Sequence, residues 1–442
     1  VSYGDGKYEY GRNIVSSDDG SIYQTGTFEG TVDFGNSSIT TNGANDIYIA
    51  KYTKDGVPIW ITQAGGWEYD YVTGIDIDSL ENIYITGYYG GKSADFGSYT
   101  VTSDINPSIY AAKLDSNGTF QWVKSSDGTP AENMWDYQMQ SGGITVDGEG
   151  NCYITGLYRD NISFGFFDLQ SSSGDSWSSN IYITKINSTG SFSWALSAGG
   201  GDYSMGSGIE CDIDGNIYLS GSFSGQNRIF GNFTLSGPDD WTGIPFYAKI
   251  SGNGIFQWAS TANARINSYP AKVPLSLLSD NYVVAAGKFS QTGVFGDTTI
   301  DSDNGYGYII KLNNAGEFES VNQYPIEPYD IDTDELNNTY CIGRFSNTII
   351  IDSVELSSIG SNDIVAFQLS NTNQVENVVQ VGGESTETPY GITITEQNKL
   401  ILSGAYSEIA YAGFDEFQAT AGYDAFLISY DLTDWTENLN AY

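Results

Sequence analysis

The chain has no histidine, which removes Ser-His-Asp and Cys-His nucleophile systems, histidine-ligated zinc and histidine acid–base work. Any chemistry must run on carboxylates, tyrosine or lysine. Cations are scarce as well: 17 Lys and Arg face 55 Asp and Glu in 442 residues, for a formal charge of −38. Phosphate neutralisation needs many Lys and Arg, so nucleic acid and anionic membrane surfaces are poor partners. Three cysteines, Cys152, Cys211 and Cys341, are too few for a disulfide framework and lack CxxC spacing, so they read as buried thiols. No apolar run approaches the ~18 residues of a membrane span. Because the sequence opens at Val1 with neither Met nor signal peptide, it reads as a mature or excised segment.

What the chain does have is 33 Tyr, 21 Phe, 9 Trp and 53 Gly against 10 Pro. That is a packed, turn-rich β composition with too many core formers for a disordered acidic chain. A short apolar run closing on glycine recurs at Gly26, Gly87, Gly156, Gly221, Gly287, Gly343 and Gly404, at spacings of 61, 69, 65, 66, 56 and 61 residues. Twelve residues before each glycine stands an aliphatic: Ile14, Ile75, Ile144, Ile209, Leu275, Ile331 and Ile392. Two residues after it stands an aromatic: Phe28, Tyr89, Tyr158, Phe223, Phe289, Phe345 and Tyr406. Three positions in step seven times describe a repeat, and a period this long signals propellers or arrays.

A second block follows in each copy, as in DIYIAKY at Asp46–Tyr52 and SIYAAKL at Ser108–Leu114. In the first four copies a tryptophan lies nine residues beyond its lysine: Lys51 and Trp60, Lys113 and Trp122, Lys185 and Trp194, Lys249 and Trp258. Copies five to seven lose the tryptophan, and copies six and seven carry Gln368 and Ser429 in place of the lysine. Period-2 alternation bounded by Gly, Asn and Asp predicts strands. In the second copy they run Gly74–Asp78, Asn82–Tyr89, Ser108–Leu114 and Thr119–Lys124. Four antiparallel strands per copy and seven copies predict an all-β, seven-bladed β-propeller, one domain spanning 1–442. VSYGDG at Val1–Gly6 is similar to the end of a fourth strand, so residues 1–10 are expected to close the last blade and leave no free sheet edge.

At these residues the sequence resembles the SBBP type of β-propeller repeat: a GI-x-x-D strand, a GN-x-Y-x-TG return, an FG step, a D-x-F-x-AK strand and a W followed by GG. The FG step stands at Phe34-Gly35, Phe96-Gly97, Phe164-Gly165, Phe230-Gly231 and Phe295-Gly296; copies six and seven depart at Ile351-Asp352 and Ala412-Gly413. The resemblance implies a building block of secreted and surface-exposed bacterial or archaeal proteins with no shared catalytic residues. An extracellular or cell-surface location follows from it, and the chain would be part of a larger multidomain protein or assembly.

Asp ends the first strand and Asn opens the second four residues later at Asp78/Asn82, Asp147/Asn151, Asp212/Asn216 and Asp334/Asn338. Turn chemistry accounts for this, with Asp capping backbone N–H groups and Asn taking the left-handed conformation of a tight hairpin. The other reading is a calcium loop, drawn from Asp212-Ile213-Asp214-Gly215-Asn216 and Asp332-Thr333-Asp334, but no Glu stands at the twelfth position as an EF-hand requires. No cofactor or metal residue is assigned; calcium is the one ion left open. Lys51, Lys113, Lys185, Lys249 and Lys311 read as a recurring ion pair or snorkelling contact. Sequons such as Asn36-Ser37-Ser38 are expected by chance.

The connections between copies are rich in tyrosine and carboxylate. Six residues before the first-strand aliphatic stand Tyr8, Tyr69, Tyr203 and Tyr269, with Tyr137 and Tyr324 displaced by one. In a propeller these connections share one face around the channel mouth. Tyrosines there either seal blades or offer a rigid binding surface. The binding residues expected on this face are Tyr8, Tyr69, Asp70, Trp135, Tyr137 and Tyr203. The function expected is a non-catalytic binding or adhesion module for a glycan or a surface protein. The alternative is a carboxylate-based carbohydrate-active enzyme, a glycosidase or lyase, using pairs such as Glu68/Asp70.

Overall fold

The computed structural model describes residues 2–3, 8–35, 37–128, 139–171, 178–239, 242–266, 272–302, 307–413, 415–419 and 422–432. All the regular structure among them is strand, almost entirely antiparallel, and the architecture is propeller-like. In the second copy, first strand Asp70–Ile77 pairs with Ile83–Tyr89, which pairs with Ser108–Leu114, which pairs with Phe120–Ser125. The same order recurs in every copy. Among the described residues the first strands pack side by side, that of each copy meeting the next, and the one at Thr388–Ile394 also contacts Tyr8–Ser16. Second and third strands are buried almost throughout, as the all-buried Cys152–Tyr158 shows. First and fourth strands alternate, because only one of their edges or faces is covered.

The repeated aliphatics fill the seams between sheets. One cluster joins Tyr23, Ile47 and Ile49 of the first copy to Val72, Ile83, Ile85 and Phe96 of the second. Another joins Ile14 and Phe28 to Ile401 and Leu427, so first and last copies share a core. Each fully buried Ile or Phe in such a seam contributes about 1.5–3 kcal/mol. At the chain start, Ser2–Tyr3 lies antiparallel on the third strand of the last copy, with Ser2 opposite Phe426 and Tyr3 opposite Ala425.

One element was not expected. The variable stretch around each FG step is a short hairpin, such as Ser93–Phe96 with Tyr99–Thr102. It does not extend its own sheet. It pairs with the fourth strand of the preceding copy, Ala94 opposite Gly66 and Phe96 opposite Ala64. Equivalent contacts join Asp127–Gly128 to Asn161–Phe164, Gly199 to Ile229, Asn263–Arg265 to Ser290–Phe295 and Val381–Gly383 to Ile409–Ala412. In these five cases the four-stranded unit is enlarged at its rim by a hairpin from its successor, while the hairpins Thr31–Asp33 with Ser38–Thr40 and Thr348–Ile351 with Val354–Ser357 form two-stranded sheets of their own. The turn needs a left-handed residue: Gly97 has φ 59°, and Asp352, which replaces glycine in the sixth copy, has φ 54°. Asp tolerates that conformation because its short side chain bonds locally.

Candidate functional site

Within each sheet the strands alternate in direction, so the ring has two ends. One, the hairpin end, carries the turns joining first to second and third to fourth strands. Here Asp147 Oδ1 accepts from the backbone N–H groups of Glu149 (3.0 Å) and Asn151 (2.9 Å), and Asn151 Nδ2 and Tyr153 Oη both donate to Oδ2, each at 2.8 Å. Lys185 Nζ lies 3.8 Å from Oδ2 and 5.0 Å from the centre of the Tyr153 ring. Burial alone would raise Asp147, but the donors win and hold its carboxyl below the usual range. Asp78 and Asp212 repeat the arrangement with Lys113 and Lys249, each at 3.7 Å. The left-handed residue in these turns is the one before the Asn, namely Glu81, Gly150, Gly215 or Asn337. The Asn itself serves as a donor to the carboxylate, which corrects the conformational role expected for it. The first copy has no such Asp, and Glu81 of the second copy reaches across to Lys51 (2.8 Å) and Tyr23 (2.9 Å) instead. Each tryptophan then donates to the next copy's turn: Trp60 to Ser116 O, Trp122 to Ser188 O, Trp194 to Gly252 O and Trp258 to Asn314 O, at 3.0–3.3 Å. This end is a set of structural bolts.

The opposite end carries the connections between copies. Trp67 and Tyr69 stand 82% and 59% exposed on the loop into the second copy. The loop is fixed: Tyr69 bridges Asn45, and its carbonyl accepts from Gly90 N at 3.0 Å. Asp70, between Tyr69 and Tyr71, is only 1% exposed. Its carboxylate accepts from Gly66 N (2.6 Å) and Gly90 N (3.2 Å), and burial pushes it up to about 7.

Between the two ends runs a cavity of about 740 Å³ bounded by the first strands. A bulge in these strands, for example between Gly11 and Asn13 or Pro389 and Gly391, re-aims one side chain inward. Those side chains include Arg12, Tyr329 and Tyr390. The Arg12 guanidinium lies over Tyr10, Tyr71 and Tyr390 at 5.4–5.5 Å. Deeper in stand Asp76, Glu210, Asp330, Asp332 and Lys272. Half-exposed to the cavity but crowded by the surrounding strands, Asp76 and Asp332 are raised by desolvation to about 6 and Asp330 to about 7. Glu210 is raised well above its usual range by desolvation and by the neighbouring carboxylates, and Lys272, although exposed to the cavity, is lowered by the protein crowded around it. Three of these acids hold the ring together: Asp76 accepts from Val146 N (2.8 Å), Asp330 from Ile392 N (3.1 Å) and Asp332 from Ile394 N (2.9 Å), all on the next copy.

The SBBP β-propeller repeat model matches residues 59–88, which run from a fourth strand through the next copy's second. The chain is a β-propeller repeat protein. It is also 24% identical, over 82% of its length, to an uncharacterized WD repeat-containing protein of Acanthamoeba polyphaga mimivirus, and spans about 30% of that relative's length. Among solved structures, similar folds include BamB from Moraxella catarrhalis (13% identity, TM-score 0.37, 97% of this chain and 99% of that one). Others are an α-L-arabinofuranosidase from Fusarium graminearum (10%, 0.43, 83% and 94%) and the NanB sialidase of Streptococcus pneumoniae (9%, 0.44, 97% and 69%).

In this propeller the connection residues singled out from the sequence fall into four groups. Tyr8 and Tyr69 are exposed at the connection end. Tyr203 is half-buried, its hydroxyl 3.3 Å from Met205 Sδ, and Tyr324 is buried against Phe367. Asp70 is sealed inside, which corrects its assignment to a binding surface: a carboxylate already holding two backbone N–H groups at a closed seam has no face to offer a macromolecule. Trp135, Tyr137 and Tyr269 lie outside the described residues. The tyrosines around the cavity are others, Tyr88, Tyr329 and Tyr390. A bulge one residue from a fixed aliphatic is the signal that could have found Tyr329 and Tyr390, but it shows only once strand pairing is known.

Proposed function

We propose that this propeller is a non-catalytic, secreted or cell-surface module that binds a glycan or a neighbouring surface protein through its connection end. The observation that carries the reading is the pair Trp67 and Tyr69, large aromatic faces held in water on a loop anchored at Asn45 and Gly90. Flat aromatics of this kind supply contact area at little entropic cost. Glu68 between them and the charge of −38 favour a neutral or cationic partner. In this reading the ring is a closed seven-bladed propeller, with Ser2–Tyr3 as the fourth strand of the last blade. The short coverage of the viral relative supports its being one part of a larger protein.

A carboxylate-based carbohydrate-active enzyme is the second reading, favoured by the raised Glu210 and Asp330 within the cavity. Against it, Asp330 is engaged with the next blade's backbone. A screen of glycans and surface proteins with turnover followed in parallel separates the two. Trp67→Ala and Tyr69→Ala should each weaken binding by about 1–2 kcal/mol, with the fold unchanged. Unaltered binding by both variants overturns the first reading, whereas turnover abolished by Glu210→Gln establishes the second.

A further inference from the structure

The connection end holds buried carboxylates in pairs. At each junction two positions face one another: the start of one copy's third strand, and the residue five before the next copy's aliphatic. Both are carboxylates at Asp46 and Asp70 between copies one and two and at Asp363 and Glu387 between copies six and seven; Asp424 and Glu9 repeat the pair between copies seven and one, where further groups engage them. The four residues of the first two pairs are buried, Asp46, Asp363 and Glu387 at 0% exposure. Neither carboxylate oxygen of Glu387 has a hydrogen-bond partner, nor does Asp46 Oδ1. The paired glycines ending the fourth strand make the room. A Cβ on Gly65 would lie 2.7 Å from Asp46 Oδ1 and 2.8 Å from Asp70 Oδ2. One on Gly382 would run into the Asp363 carboxylate, and one on Gly383 would lie 2.9 Å from Glu387 Oε1. At the first junction the two oxygens thus flank one space from which a side chain is kept out; at the second, Glu387 is the unpartnered group, while Asp363 accepts from Gln380 Nε2 at 2.6 Å and from Ile359 N at 3.2 Å.

No cationic side chain compensates them. Burial, then the partner carboxylate, pushes Glu387 up to about 8; the Gly383 N–H tempers this without closing a hydrogen bond. Asp46 rises to about 6 by burial against a single N–H, from Asn42. Between copies three and four the same positions hold Asn180 and Ser204, a neutral pair beside Gly199. The acidic junctions therefore differ from a working neutral solution in charge, and two carboxylates out of water need a counter-charge. Among the described residues no cationic side chain is placed there; neutralisation falls to a shared proton or to a cation from solution. We infer that Asp46/Asp70 and Asp363/Glu387 each bind a divalent cation of calcium's chemistry, a hard ion that takes carboxylate and backbone carbonyl oxygens. Each ion would bolt two adjacent copies where the hairpin end uses lysine.

The test is a titration of calcium chloride into the whole chain, read by calorimetry, with sodium chloride matching the ionic strength. Saturable uptake and a higher melting temperature are expected. Glu387→Gln and Asp70→Asn should each weaken one equivalent about tenfold or more. Both remove a buried charge, so in calcium-free buffer they should melt no lower than the parent chain. Should either fail to fold, terbium luminescence on the parent chain still decides. Absence of saturable uptake overturns the inference and leaves each pair sharing a proton. Uptake of the same stoichiometry and strength in both variants overturns it too, since it places the ions on the acidic surface.

Discussion

Asp147 and Glu387 are both carboxylates taken out of water at a seam between sheets, yet the chain surrounds them differently. Asp147 receives two backbone N–H groups, an amide, a phenol and a nearby lysine, and its carboxyl stays ionised below the ordinary range. Glu387 receives no hydrogen bond and a second carboxylate instead, and is raised. Burial raises both, more strongly for Glu387, and it is the donors around Asp147 that reverse the sign there. A repeat protein can thus use the same residue type as glue at one end and as a vacancy for an outside charge at the other.

The comparison is broken most forcefully at the hairpin end. Trp122→Ala removes a buried indole and its bond to the next copy, and should cost about 3–5 kcal/mol in urea unfolding; a loss below about 1 kcal/mol would show that the tryptophans do not join the copies. Asp147→Ala leaves Lys185, Tyr153 and Asn151 without their acceptor, for an expected loss of about 2–3 kcal/mol by the same measurement. Asp147→Asn, which keeps the shape but cannot accept all these donors, should fall between.

Acidity separates the two classes by sign. Asp76 and Asp332 at about 6 and Asp330 at about 7 hold protons more tightly in the native cavity than in the unfolded chain, where Asp titrates near ~3.9. Their contribution is complete below about pH 4 and is lost as pH rises through 6 and 7. Melting temperature should therefore fall by a few degrees from pH 5 to pH 8, and Asp330→Asn should flatten the fall. A slope unchanged in that variant would assign it to general charge repulsion. Asp147 works the other way, its contribution being present above about pH 4 and lost only on further acidification. The smallest effect sharpens the comparison by completing a bolt. Gln368 stands where earlier copies have lysine, above Tyr340 and Asp334. Gln368→Lys should add about 0.5–1 kcal/mol, and no gain would mean that Asn377, which donates to Gln368 at 2.7 Å, already fills that role.

Much of this was legible in the sequence because a repeat displays its constraints several times. The aliphatic, glycine and aromatic positions located the strands. The co-occurrence of lysine with tryptophan nine residues on reflects cross-strand neighbours, Lys113 opposite Trp122. The rim hairpins escaped because their pairing partner lies in another copy, although the alternation in Ser93–Phe96 and the FG turn were in plain view. Tyr69 and Asp70 show the limit at the connection end: they are neighbours in sequence, but the loop residue stands in water while the first residue of the strand is sealed. The acidic junctions were illegible because each pair is split between two copies, with Asp363 and Glu387 twenty-four positions apart.

The rim hairpins also impose an order on assembly. Five of them, in copies two to five and seven, reach backward from their own copy onto the one made before it. During synthesis, a copy that has left the ribosome still presents an uncovered outer edge until its successor emerges and caps it. Completion therefore trails elongation by one repeat. On the seventh copy the strand in the fourth position comes from Ser2–Tyr3, ahead of the first copy, so those residues wait through the synthesis of all seven repeats before they reach their place.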